Sequence, residues 1–158
     1  MGEGLFRAGC CLLALMVLPT GAQAAWESIG IPGDSSNCRL QTEVRTVFDG
    51  YGETDVQLHL DSQRLRVETD SNIDASFGDL ALRVDEGEEI PADDVEGDQD
   101  VIFADGLEAI LPQFIRGAEV TVLLRFWPTY PATGRHQATF TLIGFTKAYE
   151  SYQACRGA

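Results

Sequence analysis

The sequence predicts a mainly β protein, an antiparallel β-sandwich or half-barrel with a short mid-chain helix and a C-terminal helix. Three observations lead to this fold class. Short segments of alternating apolar and polar residues recur along the chain, turn-forming residues separate them, and only two stretches carry a helical pattern. Since no internal repeat and no linker divides the chain, residues 25–158 are expected to form a single domain.

Seven segments have the period-two alternation or the apolar runs that are typical of strands. They are residues 39–48, 56–60, 65–67, 80–84, 101–103, 119–127 and 136–143. In the first segment, alternate residues from Leu40 to Phe48 are expected to share one face. Ser62 and Gln63 separate the second segment from the third, which predicts a hairpin. Residues 26–37 are rich in turn formers and predict an irregular lead-in.

The two helices are predicted from a capping residue and from an apolar face. Asp105 is a suitable N-cap for a helix over residues 106–114, and Pro112 is expected to limit this helix to about two turns. A second helix is predicted over residues 146–155. The apolar face of this helix consists of residues that recur at helical spacing: Phe145, Ala148, Tyr149 and Tyr152.

The N-terminus has the order of a secretory signal peptide over residues 1–24. Arg7 precedes the apolar run 8–18, a breaker follows at Pro19, and small residues precede the cleavage point after Ala24. The apolar run is shorter than the roughly 20 residues that a permanent membrane helix needs. The mature chain is therefore expected to be periplasmic or secreted, without a membrane span.

Two of the four cysteines, Cys10 and Cys11, would be removed with the signal peptide. The remaining pair, Cys38 and Cys155, is expected to form one disulfide in an oxidising compartment. A redox-active or nucleophilic cysteine is the alternative. It is disfavoured because the chain has no C-x-x-C motif and neither cysteine has a neighbouring histidine.

The formal net charge of −14 makes nucleic acid and anionic membrane surfaces poor partners. Nine carboxylates and no basic residue fall within residues 85–100, which predicts a solvated loop or a hairpin with a mobile tip. Calcium binding is the alternative, but Gly97 is misplaced for an EF-hand loop. No metal or cofactor is expected, and the candidate interaction residues of the segment are Asp93, Asp94, Glu96 and Asp98.

No set of residues predicts catalysis. His59 and His136 lie on separate predicted strands, His59 is expected at the surface, and no nucleophile motif or phosphate-binding glycine loop occurs. Paired carboxylates of a cell-envelope hydrolase stay an alternative, because acids are abundant. Trp127 and Tyr130 end the strongest strand in a proline-rich loop, where they are either contact residues at an interface or core residues at one end of the sandwich.

Several apolar and glycine positions resemble those of the invasion-associated locus B group, small periplasmic β-sandwich proteins of Gram-negative bacteria. The residues that carry this resemblance are Trp26, Cys38, Leu111, Phe114, Gly117, Phe140, Thr141, Leu142, Gly144, Phe145 and Ala148. The mid-chain cysteine pair expected in that group is missing here. The positions Leu142, Gly144, Ala148 and Cys155 are also similar to TagO or VasI, the periplasmic accessory proteins of type VI secretion.

The resemblance implies a periplasmic, non-enzymatic protein that works through contacts with an unidentified envelope protein. An inhibitor or immunity-type protein, whose acidic residues 85–100 dock on a basic partner, is the main alternative. The two ideas differ in their salt dependence, because exposed charge pairs are screened by ions.

Overall fold

The computed structural model describes Met1 and residues 25–129 and 134–157. The predicted signal peptide lies outside the described residues apart from Met1, and Tyr130 also lies outside them. No helix in the described ranges is both long and apolar enough to cross a membrane.

Eleven strands within the described residues form two antiparallel sheets, which confirms the predicted fold class. The strands are β1 (Trp26–Ile29), β2 (Arg39–Thr42), β3 (Arg45–Phe48), β4 (Glu53–Leu60), β5 (Leu65–Thr69), β6 (Ala81–Val84), β7 (Ile90–Pro91), β8 (Asp94–Glu96), β9 (Asp100–Phe103), β10 (Glu119–Leu124) and β11 (His136–Thr141). The helices are α1 (Leu107–Arg116) and α2 (Phe145–Gly157), and a short 3-10 helix spans Ala75–Phe77.

The first sheet has the strand order β1-β2-β4-β5-β9-β8, with β3 also paired to β4. The second sheet has the order β11-β10-β6-β7. Side chains from both sheets, such as Leu58 and Val67 of the first and Leu82 and Val122 of the second, are fully buried in one apolar core. The predicted hairpin at Ser62-Gln63 is confirmed as the β4–β5 pair.

The prediction of one strand over residues 39–48 is wrong, because this segment forms two strands that both pair with β4. Leu40 lies opposite Leu60, whereas Arg45 lies opposite Val56, so one extra residue is inserted between β2 and β3. An insertion of one residue exchanges the two faces of a strand. Phe48 is therefore exposed, although Leu40 on the same predicted face is buried.

The predicted irregular lead-in contains an edge strand, β1, which the turn-rich composition concealed. Trp26 attaches this strand to the core. Its indole Nε1 donates a hydrogen bond to the Thr141 carbonyl at 2.8 Å, and its ring centroid lies 5.0 Å from that of Phe145 and 6.0 Å from that of Phe114.

Both predicted helices are present, but the N-cap prediction is wrong. Gly106 is the N-cap of α1 and no side chain caps it, while the backbone N–H of Asp105 donates to Asp93. Pro112 lies inside the ten-residue helix, which is longer than the two turns expected. The helix continues through the proline because its apolar face is buried in the core, through Leu107, Ile110 and Phe114.

Candidate functional site

The acidic residues 85–100 belong to two hairpins, one of the two alternatives predicted, and residues 85–89 form the exposed loop of the first hairpin. The whole segment contains β7, at one edge of the second sheet, and β8, at one edge of the first. The chain crosses between these edges through Ala92 and Asp93, and the β8–β9 hairpin turns at Gly97 and Asp98, which both have positive φ. Several carboxylates are held by partners, and these are Asp85, Glu89, Asp93, Glu96 and Asp100.

A groove opens beside this crossing, between the segments 73–80 and 92–98. Its cavity has a volume of about 460 Å³. The apolar and small residues that line it are Ile73, Ala75, Gly78, Leu80, Ala92 and Val95. Three carboxylates also line it: Asp93, Asp94 and Asp98. We call this cavity the acidic groove.

Ion pairs and hydrogen bonds fix the wall formed by residues 73–80. Asp74 accepts hydrogen bonds from the Ser76 backbone N–H at 3.0 Å and from the hydroxyls of Ser76 and Thr129, which hold its pKa below the ordinary value. Arg125 donates from Nε and Nη2 to Asp79 at 2.8 and 2.7 Å, and this lowers the pKa of Asp79. The Arg125 guanidinium also lies 4.3 Å from the centroid of the Phe77 ring.

The opposite wall, formed by residues 92–98, is fixed in a similar way. Asp93 Oδ2 accepts the backbone N–H groups of Ala104 and Asp105 at 2.6 and 3.0 Å. Arg64 Nη1 contacts both carboxylate oxygens of Glu96 at 2.7 and 2.8 Å. Both walls of the acidic groove are therefore built before any ligand arrives.

Two backbone hydrogen bonds join the two walls directly, and one of them runs from the Ala92 N–H to the Leu80 carbonyl at 2.9 Å. The Ile73 N–H donates to the Asp98 carbonyl at 2.7 Å, so the tip of the β8–β9 hairpin is tied to the start of the opposite segment. The spacing between the walls is thus set by the main chain.

The four predicted acidic interaction residues have different roles. Asp93, Asp94 and Asp98 line the groove, whereas the Glu96 carboxylate is paired with Arg64. Asp94 accepts only the N–H of Val95, at 2.8 Å, and Asp98 has no side-chain hydrogen bond within the described ranges. Both are exposed, so Asp94 and Asp98 are the carboxylates available to a ligand.

The predicted contact residue Trp127 lies at one end of the sandwich, and 66% of its surface is exposed. Its backbone N–H donates to the Asn72 carbonyl at 2.8 Å. Phe48 and Tyr51 are also exposed, and the Phe48 ring lies 6.5 Å from that of His136. Phe48 and Tyr51 were not predicted as contact residues. Phe48 is exposed because one extra residue is inserted between β2 and β3, and this shift in register is not visible in the sequence pattern.

Two further cavities, of about 340 and 530 Å³, lie between β1 and α2. Both are lined by Ser28 and Ser151, which indicates that they are neighbouring parts of one depression. Only Glu27 and Lys147 bring charge to them. This depression contains no arrangement of side chains that indicates a particular ligand.

The histidines form no catalytic arrangement with a nucleophile in the described part of the chain. The prediction that His59 lies at the surface is wrong, since only 12% of its side chain is exposed. Its Nε2 lies 3.1 Å from Glu68 Oε2, but burial and the Arg66 charge together lower its pKa. No cluster of three or more His, Cys, Asp or Glu side chains suited to a metal ion occurs among the described residues.

The covalent prediction is confirmed, because Cys38 and Cys155 form a disulfide with a Cα–Cα distance of 6.0 Å. The bond ties the start of β2 to α2. The fold resembles that of invasion associated protein B from Bartonella henselae. The match has a TM-score of 0.57 at 15% sequence identity and covers 85% of this chain and 95% of that chain.

The structural match agrees with the predicted resemblance at the level of the fold. No family model and no curated protein matches the sequence. The similarity to TagO and VasI stays a prediction, because none of these comparisons supports it.

Proposed function

We propose that the chain is an exported accessory protein, periplasmic or secreted in a Gram-negative bacterium, that binds an envelope protein through the acidic groove. The observation that carries this proposal is a preformed groove in which Asp94 and Asp98 are left without a charged partner in the described structure. The disulfide fits an oxidising compartment, and the predicted signal peptide supplies the route to it.

The geometry favours binding over hydrolysis. A carboxylic acid that donates a proton in glycoside cleavage needs burial that raises its pKa. Asp93, Asp94 and Asp98 are exposed, and the neighbouring Asp74 and Asp79 have lowered pKa values because their charged forms accept hydrogen bonds. The groove therefore offers fixed negative charge and apolar surface, which suit recognition.

The test is to fill the groove without disturbing the core. Ala75 is exposed and lines the groove, so Ala75→Trp places a large side chain at its wall. The matched control is Ala109→Trp, because Ala109 is an exposed residue of α1 that does not line the groove. Each mature variant is used to capture proteins from periplasmic extract, followed by quantitative mass spectrometry.

We expect Ala75→Trp to lose proteins that the wild type and Ala109→Trp both retain. Equal capture by all three proteins would exclude the groove as the binding surface. Export is tested separately by N-terminal sequencing of the protein from the periplasm, where the first residue is expected to be Ala25. An intact N-terminus would contradict export by cleavage.

A second candidate, an inhibitor or immunity-type protein, is favoured by the same unpaired carboxylates. It differs in its partner, which would be an enzyme with a basic cleft. Loss of activity of a captured enzyme on addition of the protein would favour this candidate. Unchanged activity would favour the accessory role.

A further inference from the structure

We infer that the depression between β1 and α2 binds an extended segment of a different protein, which adds a strand to the first sheet beside β1. This depression shares no lining residue with the acidic groove. The inference therefore goes beyond the proposed function and does not depend on it. The main chain of β1, rather than a side chain, identifies the kind of ligand.

β1 is the last strand at one edge of the first sheet, and its register with β2 shows which of its main-chain groups are unpaired. The Glu43 N–H donates to the Ala25 carbonyl, and these two residues lie opposite each other when the register is continued by one position. Hydrogen-bonded and non-bonded pairs alternate along an antiparallel ladder, so Glu27 and Ile29 are bonded to β2. The N–H and C=O groups of Ser28 therefore face the open edge.

The open groups of Ser28 lie at the depression itself. Ser28 lines both of its cavities, and neither its N–H nor its C=O has a hydrogen-bond partner among the described residues. A further extended chain satisfies such groups, because it supplies donors and acceptors at the spacing of the strand. A helix does not, because its peptide groups are bonded within the helix.

β1 is also the sheet edge that is least protected against the addition of a strand. β7 has two residues and contains Pro91, which has no N–H to donate. β8 has three residues, two of them the charged Asp94 and Glu96. β11, the remaining edge, packs beside β3. Short length, proline, charge and coverage are the usual means of protecting an edge, and β1 has four residues, no proline and only one charged residue.

α2 provides a surface on which an added strand can lie. Apart from Lys147, the residues of α2 that line the depression have short side chains, and these are Ala148, Ser151, Ala154 and Cys155. Beneath them, the rings of Trp26 and Phe145 hold β1 and α2 together, with their centroids 5.0 Å apart. Both borders of the depression are therefore fixed before a partner binds.

Exposed isoleucines flank the depression at both ends. Ile143 lines one end and is 77% exposed. Ile31 is 66% exposed and lies between Gly30 and Pro32, which line the other end. A chain that runs along β1 would cover apolar surface at both ends as well as the main-chain groups between them.

Charge indicates that the segment comes from a different protein. Glu27 and Lys147 line the same cavity from β1 and from α2, and neither belongs to an ion pair in the described part of the chain. A basic residue is favoured opposite Glu27 in an added strand. β1 of a second copy contains no basic residue, and the net charge of −14 on each copy opposes self-association.

The experiment selects peptides on the mature chain and tests whether their main chain is used. A displayed library of random peptides of about twelve residues is enriched on residues 25–158, and enriched peptides are synthesised with a fluorescent label for anisotropy. Each peptide is then N-methylated at one backbone nitrogen at a time. Because alternate N–H groups of an added strand face β1, we expect methylation to weaken binding about tenfold or more at every second position only.

Two variants of the protein close the depression. Ser28→Pro removes the N–H that faces the open edge, and proline is tolerated where the N–H makes no ladder bond. Ser151→Trp fills the surface on α2, and its matched control is Gln153→Trp, at an exposed position of α2 outside the depression. We expect the first two variants each to weaken binding about tenfold or more, and the control to stay within about twofold of the wild type.

Amide exchange shows whether Ser28→Pro keeps the pairing of β1 with β2. The amides of Glu27 and Ile29 are expected to stay protected, because they bond to β2. If their protection is lost, the comparison of Ser151→Trp with Gln153→Trp decides the result.

The other outcomes separate this inference from the proposed function. Peptides that fail to bind Ala75→Trp but bind Ser28→Pro and Ser151→Trp would occupy the acidic groove, which would overturn the inference and leave the proposed function standing. Equal sensitivity to methylation at every position, or enrichment of no peptide, would also overturn it. A dimer in analytical ultracentrifugation that Ser28→Pro dissociates would assign the edge to a second copy and overturn the assignment to a different protein.

Discussion

Gly30 occupies the tightest backbone position beside the disulfide. A Cβ atom at residue 30 would lie 2.8 Å from the Asn37 carbonyl oxygen and 2.9 Å from Cys155 Sγ, and the φ of +145° is rarely adopted by other residues. We expect Gly30→Ala to lower the free energy of unfolding by about 2 kcal/mol or more, measured by urea denaturation.

The matched control is Gly52→Ala. No atom lies within 4 Å of a Cβ at residue 52, so its effect is expected to stay within about 0.5 kcal/mol. Similar losses in the two variants would show that the packing around Gly30 is looser than the structure indicates.

His59 is expected to make stability depend on pH. Burial, then the Arg66 charge, lower its pKa below the ordinary 6.5, against the opposing effect of Glu68. Below pH 6.5 the unfolded chain therefore binds a proton that the folded chain resists, and the free energy of unfolding falls as the pH falls. The stabilisation is present above pH 6.5 and is lost as the pH falls towards the folded pKa.

Substitution separates this effect from that of the carboxylates. The slope of the free energy of unfolding between pH 5 and 6.5, from urea titrations, is expected to become shallower in His59→Gln. The control, His136→Gln, removes the other histidine and is expected to keep the contribution of His59. A wild-type slope in His59→Gln would contradict the burial argument.

At the scale of the elements, prediction from the sequence succeeded where the signal is local and failed where distant segments decide. In β4 and in β11, the alternation of apolar and polar residues arises within a single strand that has one buried face, and the sequence predicted both strands. The break between β2 and β3 depends on how the chain pairs with β4, which no local pattern records. The N-cap prediction failed because Gly106 takes the N-cap position, and the Asp105 backbone N–H is bound by Asp93, which lies in the crossing between β7 and β8.

The strand β1 provides a test of how a short edge element is held. Trp26 contributes a buried ring, packed on Phe145, and the indole hydrogen bond to Thr141. We expect Trp26→Ala to cost about 3–5 kcal/mol in the free energy of unfolding, and Trp26→Phe to cost less because a ring is kept. If Trp26→Ala unfolds the chain, Trp26→Phe is measured by amide hydrogen exchange. The backbone amides of β1 are expected to exchange faster in Trp26→Phe than in the wild type. Unchanged exchange in β1 would show that its pairing with β2 is sufficient.

At the scale of the whole molecule, the acidic groove was only partly foreseeable. The sequence identified the acids of residues 85–100 as candidates, because their density is visible in the letters. The opposite wall, residues 73–80, had no such signal, and it meets the acids through long-range contacts such as the hydrogen bond from the Ile73 N–H to the Asp98 carbonyl. The sequence therefore predicted the charge of the groove but not the wall that faces the acids.

The disulfide acts on the whole molecule, because Cys38 and Cys155 are separated by 117 positions. Closing so large a loop restricts the unfolded chain, and the chain-entropy model gives about 4–5 kcal/mol as an upper estimate. We expect Cys38→Ser to lower the free energy of unfolding by at least about 2 kcal/mol, measured by urea denaturation in oxidising buffer. Cys155→Ser and the double variant are expected to match it, because each removes the same bond. Reductant should then destabilise the wild type alone, and an unchanged wild-type midpoint in reductant would contradict this role of the bond.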